Sequence, residues 1–393
     1  MSAKSILGAI KSSGTLGVDQ TQVDYLIGMI AAAEGDYHTA RDIFRAILAE
    51  RPDLTRVRLE LARVLYVLED DDAAAHHFRL ARADDAARPA YLTIERFLYS
   101  IRKRKDFSVR FSFGLTPDSN VNSATTDDTT QLYGFLPAEL SDDAQRTSGI
   151  GARSHFSFTW LPAIGEDWRG DLQTSIDFWD YENRTFVDII LQSDVGLRRI
   201  TSKGYISAAG SYSRRWYGDE LLYSAYGGRL FVLHDISPRL QGSAFFSVLR
   251  HDYDETDSRD GPVLFFTLNA LRALSSTNYV GVGASITREF ARASIFRSTD
   301  YGIRLSYTRE LSGGAILEVS TNAGLKRFDE ENPLFAVKRE DERIGAGLSF
   351  SNRNWSLRGW TPIISYGYTR NFGNVNIYDF SRHRAEFRFT RLF

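Results

Sequence analysis

Cysteine is missing from all 393 residues. Its absence removes thiol nucleophiles, disulfides, cysteine-bound zinc and a lipidated N-terminal cysteine in one step. No charge of one sign dominates, since a formal net charge of -2 with 25% charged residues fits neither acidic disorder nor a strong nucleic-acid field. No run approaches about 18 consecutive apolar residues, so a transmembrane helix is excluded and any membrane span must be made of strands. Proline (9) and methionine (2) are scarce, whereas 26 Phe, 19 Tyr and 30 Gly are present. That balance suits many strands with aromatic girdles. The run Ile6-Leu7-Gly8-Ala9-Ile10 after Lys4 is shorter than the apolar core of a secretory signal, about 7 to 15 residues. The export signal is therefore expected to lie outside this sequence, with residues 1–19 a disordered segment or the remnant of a processed region.

From Gln20 to Tyr99 the apolar residues recur at helical spacing, and a repeat of 34 residues carries Ala40 onto Ala74 and Phe44 onto Phe78. The first copy places Gly28, Gly35, Tyr37, Ala40, Phe44 and Pro52 at the offsets of a tetratricopeptide repeat, and the second keeps Ala62, Ala74, Phe78 and Ala81. Small residues at these offsets let paired helices approach closely. Two repeats fall short of the three or so that such a solenoid needs, so a helix around Ala90 to Arg102 is expected to cap the stack. An ordinary helical bundle is the plainer alternative. The helical domain is placed at 20–102, followed by a basic linker at 103–107.

After Arg102-Lys103-Arg104-Lys105 the period changes to 2. Val109, Phe111, Phe113 and Leu115 alternate with Arg110, Ser112 and Gly114, the pattern of a strand with lipid on one face and water on the other. Ile150 to Trp160 and Ile344 to Phe350 repeat it, and the whole of 108–393 divides into about 14 strands, an even number as a single-chain barrel requires. Tight turns are expected at 162–167, 201–203, 237–238, 275–277, 312–314 and 352–354. Longer joints are expected at 117–148, 254–261, 291–297, 329–340 and 371–379, with two shorter ones near Glu182 and Asp219. The fold class is thus α plus transmembrane β-barrel, and the parity of long and short joints puts the helical module and Phe393 on one side, the periplasm. The last strand carries Ala385, Phe387, Phe389, Arg391 and Phe393 on one face. A terminal Phe after alternating apolar residues resembles the signal read by the barrel-assembly machinery, with Phe387, Phe389 and Phe393 as its anchors.

No catalytic constellation accompanies the seven His. His155 sits near Ser154 and Ser157, but adjacent strand residues point to opposite faces, and neither a nucleophile elbow, a zinc motif nor a phosphate loop is present. The chain is read as a non-enzyme with no cofactor, no metal site and no nucleic-acid partner, and His76 and His77 as solvent-facing helix residues. The acidic loops, Asp252, Asp254, Glu255, Asp257 and Asp260, and Asp329, Glu330 and Glu331, are weighed as calcium sites bridging surface lipopolysaccharide and read as solvated charge. Arg110, Arg153, Arg169, Asp171, Asp177, Arg304, Glu318, Lys326, Arg384, Glu386 and Arg388 fall on the lumen face. A lining of both signs indicates a hydrated interior without strong ion selectivity.

The stretch from Phe111 to Asn122, and above all Pro117-Asp118-Ser119-Asn120-Val121-Asn122, comes straight after the tetratricopeptide region and a first barrel strand. In this it resembles the surface lipoprotein assembly modulator (Slam) family, and the resemblance extends over nearly the whole chain. It implies an outer-membrane protein of Gram-negative bacteria that moves lipoproteins, or soluble haemophore-like proteins, from periplasm to surface by type XI secretion. The implied partners are that cargo, the barrel-assembly machinery and outer-membrane lipid. From the residues alone, Pro117 ends the strand, and Asp118, Ser119, Asn120 and Asn122 favour side-chain-to-backbone turns that shape a compact element in the mouth. A polysaccharide exporter and a passive porin or ligand-binding barrel remain as competing functions.

Overall fold

In a computed structural model, the described residues are 19–104 and 106–392. The expectations for the N-terminal segment up to residue 18 and for Phe393 lie outside them. Five α-helices occur among the described residues: α1 (Gln20–Ala33), α2 (Tyr37–Glu50), α3 (Thr55–Val67), α4 (Asp71–Arg82) and α5 (Tyr91–Arg104). Asp19, Asp36 and Asp70 cap α1, α2 and α4 by accepting from first-turn backbone N–H groups, which satisfies donors that a helix start leaves open. Between α1 and α2 the chain turns at Gly35, whose φ of 85° suits a residue without a Cβ.

The repeat signature forms the centre of this module. Ala40, Phe44, Ala74 and Phe78 are essentially inaccessible to solvent, together with Leu61, Leu65, Ile94 and Leu98. Gly28 lies against the Phe44 ring so closely that a Cβ would meet it at 2.6 Å. On the other side Phe78 stacks on Phe97 of α5 at 4.9 Å between ring centroids. Thus α5 does cap the stack. The expected linker 103–107 is taken up from both ends, because α5 continues through Arg104 and the first strand already begins at Phe107. Arg102, Lys103 and Arg104 fill the last helical turn, where the helix dipole favours cations.

Fourteen antiparallel strands then close on themselves. They are β1 (Phe107–Asp118), β4 (Gly149–Trp160), β5 (Trp168–Tyr181), β6 (Asp188–Thr201), β7 (Gly204–Tyr217), β8 (Glu220–Ser237), β9 (Leu240–Tyr253), β10 (Gly261–Ala273), β11 (Asn278–Glu289), β12 (Ser298–Glu310), β13 (Ala315–Asn332), β14 (Val337–Asn352), β15 (Thr361–Gly373) and β16 (Phe380–Leu392). A small hairpin, β2 (Thr129–Leu132) and β3 (Leu136–Glu139), stands apart from the barrel within the loop after β1. The register places Phe111, Phe156, Ile176, Val195, Ala208, Leu230 and Phe246 on one face of successive strands. Most of these are exposed, as are Ile303, Val319, Ile344 and Leu348 farther round. So continuous an apolar surface is what lipid covers.

Two joints differ from expectation. The strands β13 and β14 run on to Asn332 and Val337, so the long joint expected at 329–340 is a short turn whose flanking strands overhang the rim. Conversely, the tight turn expected at 352–354 is a connection spanning 353–360, because its end folds along the outside of the barrel. The helical module sits at one rim of the barrel, the near rim, and the 119–148 loop at the opposite one, the far rim.

Gly28→Leu is expected to destabilise the helical module by about 1–3 kcal/mol, the usual cost of overpacking a filled core. The measurement is thermal loss of the helical circular-dichroism signal of the full chain in detergent. An unchanged midpoint would show that Phe44 swings aside.

Candidate functional site at the barrel seam and the docked module

The module is braced on the near rim by charged side chains that neither part could bury alone. From α3, Arg58 reaches Glu310 at the end of β12 (3.0 Å), with side-chain exposures of 1% and 4%, and it also donates to the Pro52 carbonyl. His76 of α4 lies 3.0 Å from the other Glu310 oxygen. Arg82, at the end of α4, bonds Asp235 of β8 (3.2 Å), Glu95 of α5 (2.7 Å) and the Pro238 carbonyl (3.1 Å). Burial works against the charge on Arg82, but Asp235 and Glu95 hold its pKa above the ordinary arginine value. Burial draws its neighbours Arg79 and Arg102 below theirs. Farther round, Arg239 donates to the Ala83 carbonyl, Tyr99 and Lys103 meet Asp167, Arg169 donates to the Lys103 carbonyl and Arg102 to that of Ser202.

These contacts correct the reading of His76 and His77 as solvent-facing. His77 is buried, its Nδ1 3.3 Å from an Arg58 nitrogen, and His76 is an interface residue. Helical periodicity shows only that a face exists. Here a second polar surface covers it, and no local signal announces that.

The second feature is the seam where β16 returns to β1. Its register is continuous from Arg110 opposite Leu392 to Leu115 opposite Phe387, lapses at Thr116 and Pro117, and resumes only with Asp118 opposite Arg384. Towards β4 the ladder continues without a break from Phe107 to Asp118. Pro117 therefore does not end β1; it has no N–H to donate and lies where the seam lapses. The Thr116 hydroxyl there is buried without a hydrogen-bond partner.

Beyond the lapse, side chains of the 117–122 run close the barrel. The Asp118 carboxylate, fully buried, accepts from Arg382 (2.6–2.9 Å) and Arg384 (2.8 Å) of β16. The Ser119 N–H donates to the His383 carbonyl, and the His383 N–H donates back to the Ser119 hydroxyl. Asn120, with no exposed surface, donates its amide to the carbonyls of Ser381 and Ala124 and accepts from the Ala124 N–H. Asn122 ties down the returning end of the loop through the carbonyls of Asp143 and Gln145 and the N–H of Thr147. The Val121 N–H bonds the Thr147 carbonyl. The Asx turn expected here is present, since Asn120 N–H donates to Asp118 Oδ1. What the motif grips across the seam was not legible: Arg384 stands out as a lumen residue, but nothing local pairs it with a residue 266 positions earlier.

On the lipid side of the seam's near-rim half is an aromatic layer. Phe113 lies 5.6 Å from Phe389, Phe389 lies 5.0 Å from Phe387, and Trp360 comes from the 353–360 connection to within 5.9 and 5.3 Å of Phe111 and Phe113 on β1. The assembly-signal candidates Phe387 and Phe389 are thus part of the closure itself. At the far rim the β2–β3 loop crosses to the loops beyond the seam, where Thr130 meets Asn376 and the Tyr133 N–H meets the Leu334 carbonyl.

The lumen wall is lined by charges tied to neighbours. Asp171 accepts from Arg198 and Ser207, Asp194 pairs with Arg229, Arg153 with Glu386, and Arg343 with Asp300. His155 contacts Asp177 at 3.0 Å and stands opposite Ser112 in the β1–β4 register. In the acidic loops Asp257 and Asp260 face Arg292, and Asp329 faces Arg288. Those carboxylates are thus engaged by arginine.

Two family models match the chain. One described as surface lipoprotein assembly modifier covers residues 107–393, and one described as the N-terminal tetratricopeptide repeats of that family covers 16–78. Among curated proteins, surface lipoprotein assembly modifier 1 of Neisseria meningitidis is 24% identical over 94% of this chain and 75% of that protein. The protein of the same name in Haemophilus influenzae is 22% identical over 92% and 75%. The hemophilin secretion modulator of Acinetobacter baumannii is 24% identical over 96% and 80%. Overlap with solved barrels is loose: the toluene transporter TodX of P. putida gives a TM-score of 0.42 at 9% identity, over 80% of this chain and 94% of that one.

Asp118→Ala leaves two guanidinium groups at the seam without their carboxylate. Removing one partner of a buried pair costs about 3–5 kcal/mol, and the partial exposure of Arg384 places this case at the lower end. The heat-modified gel shift of the purified barrel should move to lower temperature, whereas Asp257→Ala in an exposed loop should leave it in place. Equal behaviour of the two variants would show that the clasp bears no share of closure.

Proposed function

Because the chain belongs to the surface lipoprotein assembly modifier family, we propose that it is an outer-membrane translocator carrying surface lipoproteins, or secreted proteins related to them, from periplasm to cell surface. The observation that carries this reading is the dock. A repeat module of the kind that holds polypeptide is fixed over one mouth of a barrel by buried Arg58–Glu310 and Arg82–Asp235 pairs. Cargo held by the module is thereby presented at the mouth and does not have to find it. In this reading the near rim faces the periplasm and the far rim, with its 119–148 loop, the medium. Charges neutralised along the lumen wall suit passage of a chain of mixed charge better than selection of an ion.

No covalent step belongs to this activity, and no cofactor is assigned. During biogenesis the barrel-assembly machinery reads the last strand through Phe387, Phe389 and Phe393, and outer-membrane lipid covers the apolar face. The name of the hemophilin secretion modulator extends the expected cargo to secreted proteins.

The test is surface proteomics by protease shaving of intact cells with and without this gene, with cargo expression matched by immunoblot. The expected result is loss of most of the surface signal of one or more cargo proteins, with retention inside the cell and restoration by the gene in trans. Unchanged surface exposure of every protein would remove the reading.

A further inference from the structure

Building on the export reading, we propose that the far-rim half of the β1–β16 seam is the exit by which the acyl chains of a lipoprotein cargo pass from the lumen into the outer leaflet. An acylated polypeptide poses a problem that a soluble one does not. Its polypeptide can follow a hydrated passage lined by paired charges, but each CH₂ of its anchor costs about 0.8 kcal/mol to keep in water. The anchor must reach lipid, and the barrel wall lies between.

At the other junctions the antiparallel ladder is irregular only beside a turn that joins the two strands, at Arg215/Trp216, Asp235/Ser237 and Arg327/Glu331. Parting it in hydrocarbon would strand backbone groups at several kcal/mol each. The seam is different in its far-rim half, where the ladder already lapses at Thr116 and Pro117. Closure there rests on Asp118 with Arg382 and Arg384, side chains on the lumen face, and on the short-range bonds of Ser119 with His383 and of Asn120 with the Ser381 carbonyl. When these part, their charges turn to lumen water and none is forced into lipid. Facing lipid at the lapse are Leu115, Pro117, His383 and Ala385, all exposed, a surface of low relief. The near-rim half is held by the continuous register from Arg110 to Leu115 and by the layer of Phe111, Phe113, Phe389 and Trp360. Opening is therefore confined to the half that borders the outer leaflet, and the barrel as a whole stays closed.

The absence of cysteine makes a direct test available. Thr116→Cys with Glu386→Cys places one thiol on each strand within the lapse, between the pairs Leu115–Phe387 and Asp118–Arg384. Ser157→Cys with Ser175→Cys locks the β4–β5 junction as a control. The cargo is a lipoprotein lost from the surface in the deletion strain above, expressed both in its acylated form and with its acylated cysteine replaced by serine. Correct folding of each double variant is checked by the heat-modified gel shift. With the seam oxidised, most acylated cargo should fail to reach the surface while the unacylated form still does; reduction should restore the first, and the control lock should affect neither. Equal export of acylated cargo through the oxidised seam would overturn the proposal, as would loss of both forms, which would make the seam a path for the polypeptide. If the deletion strain loses only unacylated proteins, the export reading stands and the acyl exit falls.

Discussion

A sheet in hydrocarbon cannot keep an open edge, because each unpaired backbone group costs several kcal/mol with no water to meet it. Everything else in this molecule follows from the need to bring β16 back to β1. The alternation of Phe111, Ser112, Phe113 and Gly114 has to agree in parity with that of Phe387, Arg388 and Phe389 across the closing junction, and it does. Gly114 is required there, since a Cβ would collide with the Phe387 carbonyl oxygen. Where the backbone ladder lapses, the 117–122 run supplies a second means of closure made of side chains. The most distinctive stretch of the sequence is thus located at the junction that makes the barrel a barrel.

The helical module depends on the barrel in a complementary way. Two repeats do not make a self-sufficient solenoid, and here one side is capped by α5 while polar groups of α3 and α4 are covered by the near rim. Arg58 and Arg82 are almost inaccessible, and isolated buried guanidinium groups would be strongly unfavourable. Glu310 and Asp235, at the ends of two strands, make their burial possible. Such pairs add less to stability than to uniqueness of placement.

The two regions have different stakes in rigidity. The dock and the aromatic layer of Phe113, Phe389 and Trp360 combine charge pairs or large apolar contacts with regular backbone. In the far-rim half of the seam, where the backbone ladder lapses, side-chain pairs of Asp118 with Arg382 and Arg384 take its place.

The sequence by itself determined the periodic features. Alternation at period 2 fixed the 14 strands and the lumen face of Arg153, Asp171 and Arg384, and the 34-residue repeat fixed the paired helices and the places of Gly28, Ala40, Phe44, Ala74 and Phe78 within them. These are local consequences of backbone geometry, since side chains recur every 2 residues on a strand and every 3.6 on a helix. Boundaries were less legible, as at the overhanging β13–β14 turn and the 353–360 connection, where tertiary contacts extend or fold back the chain. Pairings between distant charges were not legible at all. Asp118 with Arg382 and Arg384, Arg58 with Glu310, and Arg82 with Asp235 join residues separated by 153 to 266 positions. Each of these charges reads locally as solvated, and only closure of the barrel and seating of the module bring its partner within bonding distance.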